Sequence, residues 1–448
     1  MMTRGRHAKK QYSKMIILIF FIITMIIGIM WHLSPTEKSD QATNYKTIEG
    51  QIAGTGDQVV LLRQDNNQTY LLSLANTSME GDDLLVGNHI KISYTGKLNK
   101  QYQDIQDVKV YKASISANQI RNGGKANTDK TIPIEYLSSL VENMSEEDKV
   151  DQLLIGYQCN QEIIDNHKLG GLVLSSEKLK DLPKTDIAKQ IDNYQNNTNL
   201  SMFITLDDES ILKEYVQDGV FDPISQVYNE KGMDGLKEQI DNKISIYKEV
   251  GMNLSFTPNG NDGQDDDSLN QDRNVANDYV SQVIQTIHKN DLGCCYRNYP
   301  SYGTKSDYSS ELIHDGRSLE DLKNNEYQTI QTAINQGQDM ILTTNQIIDA
   351  LDNQNPISLS KSSLQNLRQS FHYNGLIMSD LTDEAIKNTD DYILKSIQAG
   401  NDMIISDDVE TARQTIIDHI HANEISMNQI DLSVLRVLAY KYQLGIIS

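Results

Sequence analysis

The chain has 448 residues, with 62 Asp and Glu against 40 Lys and Arg, so its formal net charge is −22 at pH 7. Proteins that bind nucleic acid need a basic surface to displace counterions from phosphates, so this charge excludes DNA and RNA as partners. Three cysteines, Cys159, Cys294 and Cys295, are too few for a disulfide framework and wrongly spaced for zinc. They are predicted to be buried small apolar side chains, and no metal or cofactor is expected.

The N-terminus predicts a membrane anchor. Residues 1–14 carry five Lys and Arg and no acid, and the run from Met15 to Trp31 contains no charge. As a helix this run is about 26 Å long, enough to span a bilayer, and the cations before it keep the N-terminus cytoplasmic. A cleaved signal peptide is the alternative, but no small-x-small cleavage site follows. We expect a single-pass protein of the cell membrane, anchored by residues 15–33, with its bulk outside the cytoplasm.

Three segments follow the anchor and precede the large domain. Residues 34–45 are polar and predict a tether. Between 46 and 112, five short β-type runs are separated by Gly, Asn and Asp clusters: 48–54, 58–64, 68–74, 89–96 and 104–112. This pattern indicates a small β-barrel of the oligonucleotide/oligosaccharide-binding (OB) kind, serving as a spacer or docking module or binding a ligand. Residues 113–132 lack periodicity and read as a linker.

Residues 133–448 predict one α/β domain in which apolar runs alternate with helical stretches. A capping arrangement at Ser145–Asp148 predicts a helix that begins there. Eight candidate strands follow: 153–156, 170–175, 201–207, 251–257, 291–297, 339–344, 375–380 and 402–408. Continuous apolar runs indicate strands buried on both faces, and eight βα units without a Gly-rich phosphate loop favour a closed (β/α)8 barrel of the TIM type.

Carboxylates, amides and one Arg follow the predicted strands. They are Asp207, Asp208, Glu209, Asn259, Arg297, Asn298, Asn345, Asp380 and Asp407. Barrel enzymes carry their chemistry at the carboxyl ends of the strands, so an acidic ring there suggests a polyhydroxylated substrate. The alternative is that Asp and Asn collect at these positions as helix N-caps.

Seven segments, in order, resemble the catalytic barrel of glycoside hydrolase family 3, specifically its single-barrel β-N-acetylglucosaminidases. They are SEEDKVDQLLIG (145–156), LGGLVLSS (169–176), MFITLDDES (202–210), GMNLSFTPN (251–259), RNYPSYG (297–303), LRQSFHYNGLIMSDL (367–381) and AGNDMIIS (399–406). The resemblance implies a retaining glycosidase with Asp380 as nucleophile. It also implies that Asp207 and Arg273 contact the sugar, with Glu209 beside them.

The acid/base half of the family's machinery is altered. Asp307 is kept, but Ser309 stands where the family has its proton-delivering His, and a serine hydroxyl is a poor general acid. The family's other substrate-facing residues are replaced as well: Lys-His by Arg297-Asn298, a second His by Tyr302, and a strand-end His by Asn345. His314, or Glu311, lies on the same loop and is the alternative acid.

Two functions therefore remain open from the sequence. One is a weakened or retuned retaining glycosidase acting on N-acetylglucosamine-containing cell-wall glycans. The other is a catalytically inactive barrel that binds such glycans, or a protein partner, through the same mouth. The acidic run 259–267 does not match a calcium loop, because Gln264 stands where the loop needs Gly and no Glu closes it.

Overall fold

The computed structural model describes residues 46–447, apart from 57–58, 64–68, 74–77, 81–88, 95–102, 105–106, 112–133, 197, 199, 208–221, 223, 260–272, 303–310, 372 and 374. The predicted basic tail, anchor, tether and linker lie outside the described residues. Within the described ranges, no helix combines the length and apolar character needed to cross a bilayer.

Seven strands form the N-terminal sheet: β1 (Lys46–Gly56), β2 (Val59–Arg63), β3 (Thr69–Ser73), β4 (Ser78–Glu80), β5 (His89–Tyr94), β6 (Gln103–Asp104) and β7 (Asp107–Tyr111). Their order is β4-β7-β5-β1-β2-β3-β6, and β1–β2, β2–β3 and β5–β7 pair antiparallel. The five predicted runs correspond to β1, β2, β3, β5 and β7. Ile52, Leu62 and Ile90 are fully buried. The finer assignment to an OB barrel stays a prediction.

Eight parallel strands form the core of the large domain, as predicted. They are β8 (Leu154–Tyr157), β9 (Gly171–Leu174), β10 (Phe203–Leu206), β11 (Leu254–Ser255), β12 (Gly293–Tyr299), β14 (Met340–Thr343), β16 (Leu376–Asp380) and β17 (Met403–Ser406). The strand order in the sheet is β10-β9-β8-β17-β16-β14-β12-β11. The last strand in the sequence, β17, thus pairs with the first strand of the domain, β8. Nearly every residue of these strands is buried, which explains their continuous apolar runs. Two further strands, β13 (His314–Asp315) and β15 (Ile347–Ile348), pair separately.

The ring is completed between β10 and β11 by the side chain and backbone of one residue, Asn253, rather than by a strand ladder. The Asn253 Nδ2 donates to the Met202 carbonyl at 2.9 Å, and its Oδ1 accepts from the Ile204 N–H at 2.7 Å. The Asn253 backbone N–H also donates to the Ile204 carbonyl at 3.2 Å. An amide thus supplies the donor and acceptor that a longer β11 would have offered to β10, which gives a nearly closed TIM-type barrel.

Helices surround the barrel. They are α1 (Ile134–Asn143), α2 (Glu146–Gln152), α3 (Gln161–Asn166), α4 (Ser176–Leu179), α5 (Lys184–Asn196), α6 (Ile224–Val250), α7 (Arg273–Lys289), α8 (Leu319–Asn324), α9 (Glu326–Asn335), α10 (Lys361–Gln369), α11 (Glu384–Lys387), α12 (Tyr392–Ala399), α13 (Val409–His421) and α14 (Met427–Gln443). The predicted cap at Ser145 is confirmed, because its hydroxyl accepts from the Asp148 N–H.

A fully buried lysine lies at the amino end of the barrel. The Lys441 Nζ on α14 donates to Gln152 Oε1 at 2.9 Å and lies 5.5 Å from the centroid of the Phe203 ring. Burial lowers the pKa of Lys441 from 10.5 to about 7, because the charged form is poorly solvated there.

We therefore expect Lys441→Met to be neutral or to stabilise the barrel by up to about 4 kcal/mol at pH 6. The variant no longer holds a buried cation, but it leaves the Gln152 Oε1 without its donor, which offsets part of the gain. The folded pKa lies below the unfolded value, so the unfolded chain binds the extra proton between about pH 7 and 10. Wild-type stability should rise with pH across that window, and the Met variant should lose this contribution. Urea unfolding followed by circular dichroism at pH 6, 7.5 and 9 measures both effects. A variant less stable than wild type at pH 6 would contradict the burial argument.

Candidate active site

Asp380 is the last residue of β16 and lies at the carboxyl-terminal mouth of the barrel. Its Oδ1 accepts from the Thr382 N–H at 3.0 Å and from Thr382 Oγ1 at 2.7 Å. Within the described part of the chain, no donor contacts Oδ2. The carboxylate is therefore oriented through one oxygen, while the other is available to react.

The protonation of Asp380 is set by opposing influences. Burial raises its pKa, the two Thr382 hydrogen bonds lower it, the charge of Asp383 raises it, and the Arg297 guanidinium lowers it; the net direction is upward. A carboxylate at the end of a buried strand loses hydration, and two hydrogen bonds restore only part of it. A carboxylate is nucleophilic only when it is ionised, so the raised pKa moves the range in which Asp380 could react toward higher pH.

Asn345 connects the ends of neighbouring strands at this mouth. Its Nδ2 donates to the Asp380 carbonyl at 2.8 Å, and its backbone N–H lies 3.4 Å from the Tyr302 Oη. Gln346 Nε2 donates to the Tyr302 carbonyl at 3.1 Å. The structure thus brings three of the predicted residues, Asp380, Asn345 and Tyr302, into one hydrogen-bonded group.

Asp207 follows β10, and both of its oxygens are held. Oδ1 accepts from the Ser176 N–H at 2.9 Å, and Oδ2 accepts from Tyr157 Oη at 3.1 Å. Gln158 Nε2 also lies 2.7 Å from the Tyr157 Oη. A carboxylate fixed in this way is a directed acceptor for hydroxyl groups at the mouth.

Tyr157, at the end of β8, is a member of the site that the sequence analysis missed. Its pKa is raised by burial, by the charge and hydrogen bond of Asp207, and by the charge of Asp380. Both carboxylates therefore act on one phenol. The available signal was positional: Tyr157 comes directly after an apolar strand run, where a tyrosine is less distinctive than a charged or amide side chain.

Arg297 and Asn298 lie at the end of β12 and are joined by a cis peptide bond. The Arg297 N–H donates to the Pro258 carbonyl at 3.1 Å, and residue 297 bridges to Asn259. The Arg297 guanidinium supplies positive charge to the mouth, and this charge lowers the pKa of Asp380.

A buried polar clamp connects Ser301, which follows β12, with Asp315 in β13. Glu326, which is 4% exposed, accepts from the Ser301 N–H at 3.0 Å and from Ser301 Oγ at 2.7 Å. Arg317 contacts Glu326, donates to the Ser301 carbonyl at 2.7 Å and pairs with Asp315 at 2.6 Å. The segment between Ser301 and Asp315, which carries the predicted acid/base residues, therefore begins and ends at fixed points.

The remaining predicted site residues are placed differently. His314 Nδ1 lies 3.3 Å from Asp349 Oδ1, and the His side chain is 59% exposed. The Arg273 guanidinium donates to Thr329 Oγ1 at 3.2 Å and lies 3.4 Å from Asn325 Oδ1, among the helices. The acid role of His314 and the sugar contact of Arg273 stay predictions. Three residues lie outside the described part of the chain: Glu209, Asp307 and Ser309.

Comparison with known proteins assigns the barrel. The profile of the glycosyl hydrolase family 3 N-terminal domain matches residues 145–440. This chain belongs to glycosyl hydrolase family 3. Among curated proteins, none matches the chain significantly in sequence.

Solved structures show the same fold. LpqI of M. tuberculosis is 19% identical, with a TM-score of 0.60 over 68% of this chain and 96% of its own. A family 3 β-N-acetylglucosaminidase from Paenibacillus sp. FPU-7 is 18% identical, with a TM-score of 0.59 over 68% of this chain and 63% of its own. The β-glucoside phosphorylase BglX is 16% identical, with a TM-score of 0.62 over 73% of this chain and 63% of its own. The chain thus spans less than two thirds of the last two proteins.

Proposed function

We propose that this family 3 protein is a retaining glycosidase with weakened acid catalysis, acting on N-acetylglucosamine-containing glycans of the cell wall. The observation that carries the proposal is Asp380, held through Oδ1 at the end of β16, with Asp207 fixed across the same mouth. A retaining mechanism needs a carboxylate that attacks the anomeric carbon and a second group that protonates the departing oxygen. We assign the attack to Asp380.

The sugar specificity is supported by similarity to proteins that act on N-acetylated sugars. A β-N-acetylglucosaminidase and a β-N-acetylhexosaminidase from Beutenbergia cavernae share the barrel. The carboxylate, amide and Arg groups at the mouth match a polyhydroxylated ligand, because they offer both hydrogen-bond acceptors and donors. The carbohydrate is thus the expected partner.

The proposed location rests on the sequence. The uncharged run at 15–31 after a basic tail supports a cell-membrane anchor with the barrel outside the cytoplasm. In the sequence, the sheet at residues 46–111 follows the anchor and precedes the barrel, and we propose that it serves as an OB-type spacer or docking module.

The second candidate is a barrel that binds glycan, or a protein partner, without turning the glycan over. Two observations favour it: Ser309 replaces the family's acid, and His314 is exposed and engaged with Asp349. The same mouth would then hold a sugar through Asp207 and Asp380 with no proton donor for the leaving group.

The dependence of the hydrolysis rate on the leaving group distinguishes a glycosidase with a weak general acid from one whose general acid is intact. An aryl alcohol departs without protonation, whereas a sugar hydroxyl needs a general acid, which contributes about 10²–10⁴-fold. We therefore expect turnover of 4-nitrophenyl N-acetyl-β-glucosaminide and hydrolysis of diacetylchitobiose slower by about that factor. The assay uses the full-length chain in non-ionic detergent, with the aryl β-glucoside as the control for sugar specificity.

The outcomes differ for the two functions. No turnover of either substrate, together with saturable binding of chitooligosaccharide, would overturn the glycosidase and support the binding function. Efficient chitobiose hydrolysis would show that an acid is present. His314→Ala then tests the alternative acid, because loss of chitobiose hydrolysis with retained aryl hydrolysis would assign that role to His314.

A further inference from the structure

A cluster of three potential metal ligands lies at the end of the barrel opposite the sugar site. His288 is in the last turn of α7, Cys294 is the second residue of β12, and Asp339 directly precedes β14. The mouth residues Arg297 and Asn298 occupy the other end of β12. The cluster is therefore separate from the glycosidase chemistry.

The three ligand atoms are close together and buried. Cys294 Sγ lies 3.4 Å from His288 Nε2 and 3.4 Å from Asp339 Oδ2, and the nitrogen and oxygen are 2.7 Å apart. The His side chain is 8% exposed and the Asp side chain 0%. Bond lengths of about 2.0–2.3 Å place the ligands of a tetrahedral zinc ion about 3.3–3.6 Å apart. Two edges of this triangle, both from the Cys294 Sγ, already match, and the edge between His288 Nε2 and Asp339 Oδ2 needs to open by at least about 0.6 Å.

We propose that His288, Cys294 and Asp339 form a binding site for a borderline-soft divalent cation, with Zn²⁺ as the ion of choice. Thiolate, imidazole and carboxylate together select zinc and its neighbours over the hard cations Ca²⁺ and Mg²⁺. The spacing rules for zinc motifs do not reveal this site, because its ligands come from a helix end and from the starts of two strands.

Charge balance supports occupancy in a buried site. A thiolate and a carboxylate carry two negative charges, which a divalent cation neutralises while the imidazole stays neutral. An unbalanced charge at this depth would be costly.

The surrounding backbone holds the ligands in place before metal arrives. The Cys294 N–H donates to Asp339 Oδ2 at 3.1 Å. Gln338 Nε2 donates to the carbonyls of Cys294 and Met340, both at 2.8 Å. The two ligand-bearing strand ends are therefore tied together, which limits the ordering that binding requires.

Cobalt titration of the full-length protein, reduced and in non-ionic detergent, tests the site. We expect a thiolate-to-cobalt charge-transfer band that saturates at a single equivalent, disappears on addition of Zn²⁺, and accompanies a rise in unfolding temperature. Cys294→Ala should remove the band. Cys295→Ala is the matched control. The Cys295 thiol is also buried, but it lies 3.8 Å from the Tyr296 carbonyl and is not one of the three proposed ligands.

A second variant covers the case in which Cys294→Ala fails to fold. His288→Gln keeps the thiol and a hydrogen-bond donor for Asp339, and should weaken cobalt affinity by about 100-fold or more. Absence of the band in the wild type would overturn the proposal, as would a band that survives Cys294→Ala. Retained affinity in His288→Gln would exclude the imidazole as a ligand and overturn the three-residue site.

Discussion

Asp380→Asn is expected to lower turnover of the aryl N-acetyl-β-glucosaminide on the order of 10⁴-fold, with an unchanged unfolding temperature. A carboxamide cannot form the covalent glycosyl intermediate. Its Oδ1 still accepts the two hydrogen bonds that Thr382 donates, so the strand end keeps its geometry. Steady-state kinetics and binding of chitooligosaccharide, measured on the same preparation, separate loss of chemistry from loss of the site.

Asp383→Asn is the matched control, since it makes the same chemical change three residues away. Asp383 caps α11 by accepting from the Ala385 N–H, and Asn caps helices equally well. Its charge raises the pKa of Asp380, so removing it should move the acid limb of the pH–rate profile to lower pH while turnover persists at neutral pH. Turnover that survives in Asp380→Asn would assign the nucleophile elsewhere.

The barrel was predictable because its strands are buried on both faces. A strand covered by helices on one side and by the barrel interior on the other needs apolar residues at every position, so each strand stands out as a continuous run. The predicted run 251–257 became the two-residue strand β11, and this was less predictable. The Asn253 side chain takes over the contact with β10 there, and sequence periodicity carries no signal for such a substitution.

The site was predictable in part. Asp380, Asp207, Arg297 and Asn345 lie at strand ends, where barrel topology dictates that they meet. Tyr157 was missed, because a tyrosine after a strand is read as apolar until Asp207 is seen to accept its hydroxyl hydrogen. The cation cluster was missed because three-dimensional proximity, rather than sequence spacing, assembles its ligands.

The segments that resemble the family also contain residues that stabilise the fold rather than line the site. Arg368 and Asp402 come from two of the segments that resemble the family, and they meet in a buried ion pair. Asp402 is 1% exposed and also accepts from Arg436 at 2.6 Å, from Ser433 at 3.0 Å and from the Ile377 N–H at 3.0 Å. This carboxylate therefore ties α10 and α14 to the start of β16, the strand that ends in Asp380.

Asp402→Asn is expected to destabilise the barrel by about 3–5 kcal/mol, because it leaves two guanidinium groups partly buried without a counter-charge. Urea unfolding followed by far-ultraviolet circular dichroism measures the loss. Asp186→Asn is the control: Asp186 pairs with Lys189 at 3.3 Å on the surface, and its loss should cost within about 1 kcal/mol. Equal effects of the two substitutions would contradict the role given to Asp402.

The pH dependence of this effect has a definite sign. Burial alone would raise the pKa of Asp402, but Arg436 and Arg368 outweigh it and hold the pKa below its usual value. Stability from the ionised carboxylate is therefore present above about pH 4 and is lost as pH falls through the lowered pKa. The difference in the free energy of unfolding between wild type and Asp402→Asn should therefore become smaller in acid.

The double variant Arg436→Met, Asp402→Asn should lose less stability than the sum of the losses from the two single changes, because it removes one of the uncompensated cations.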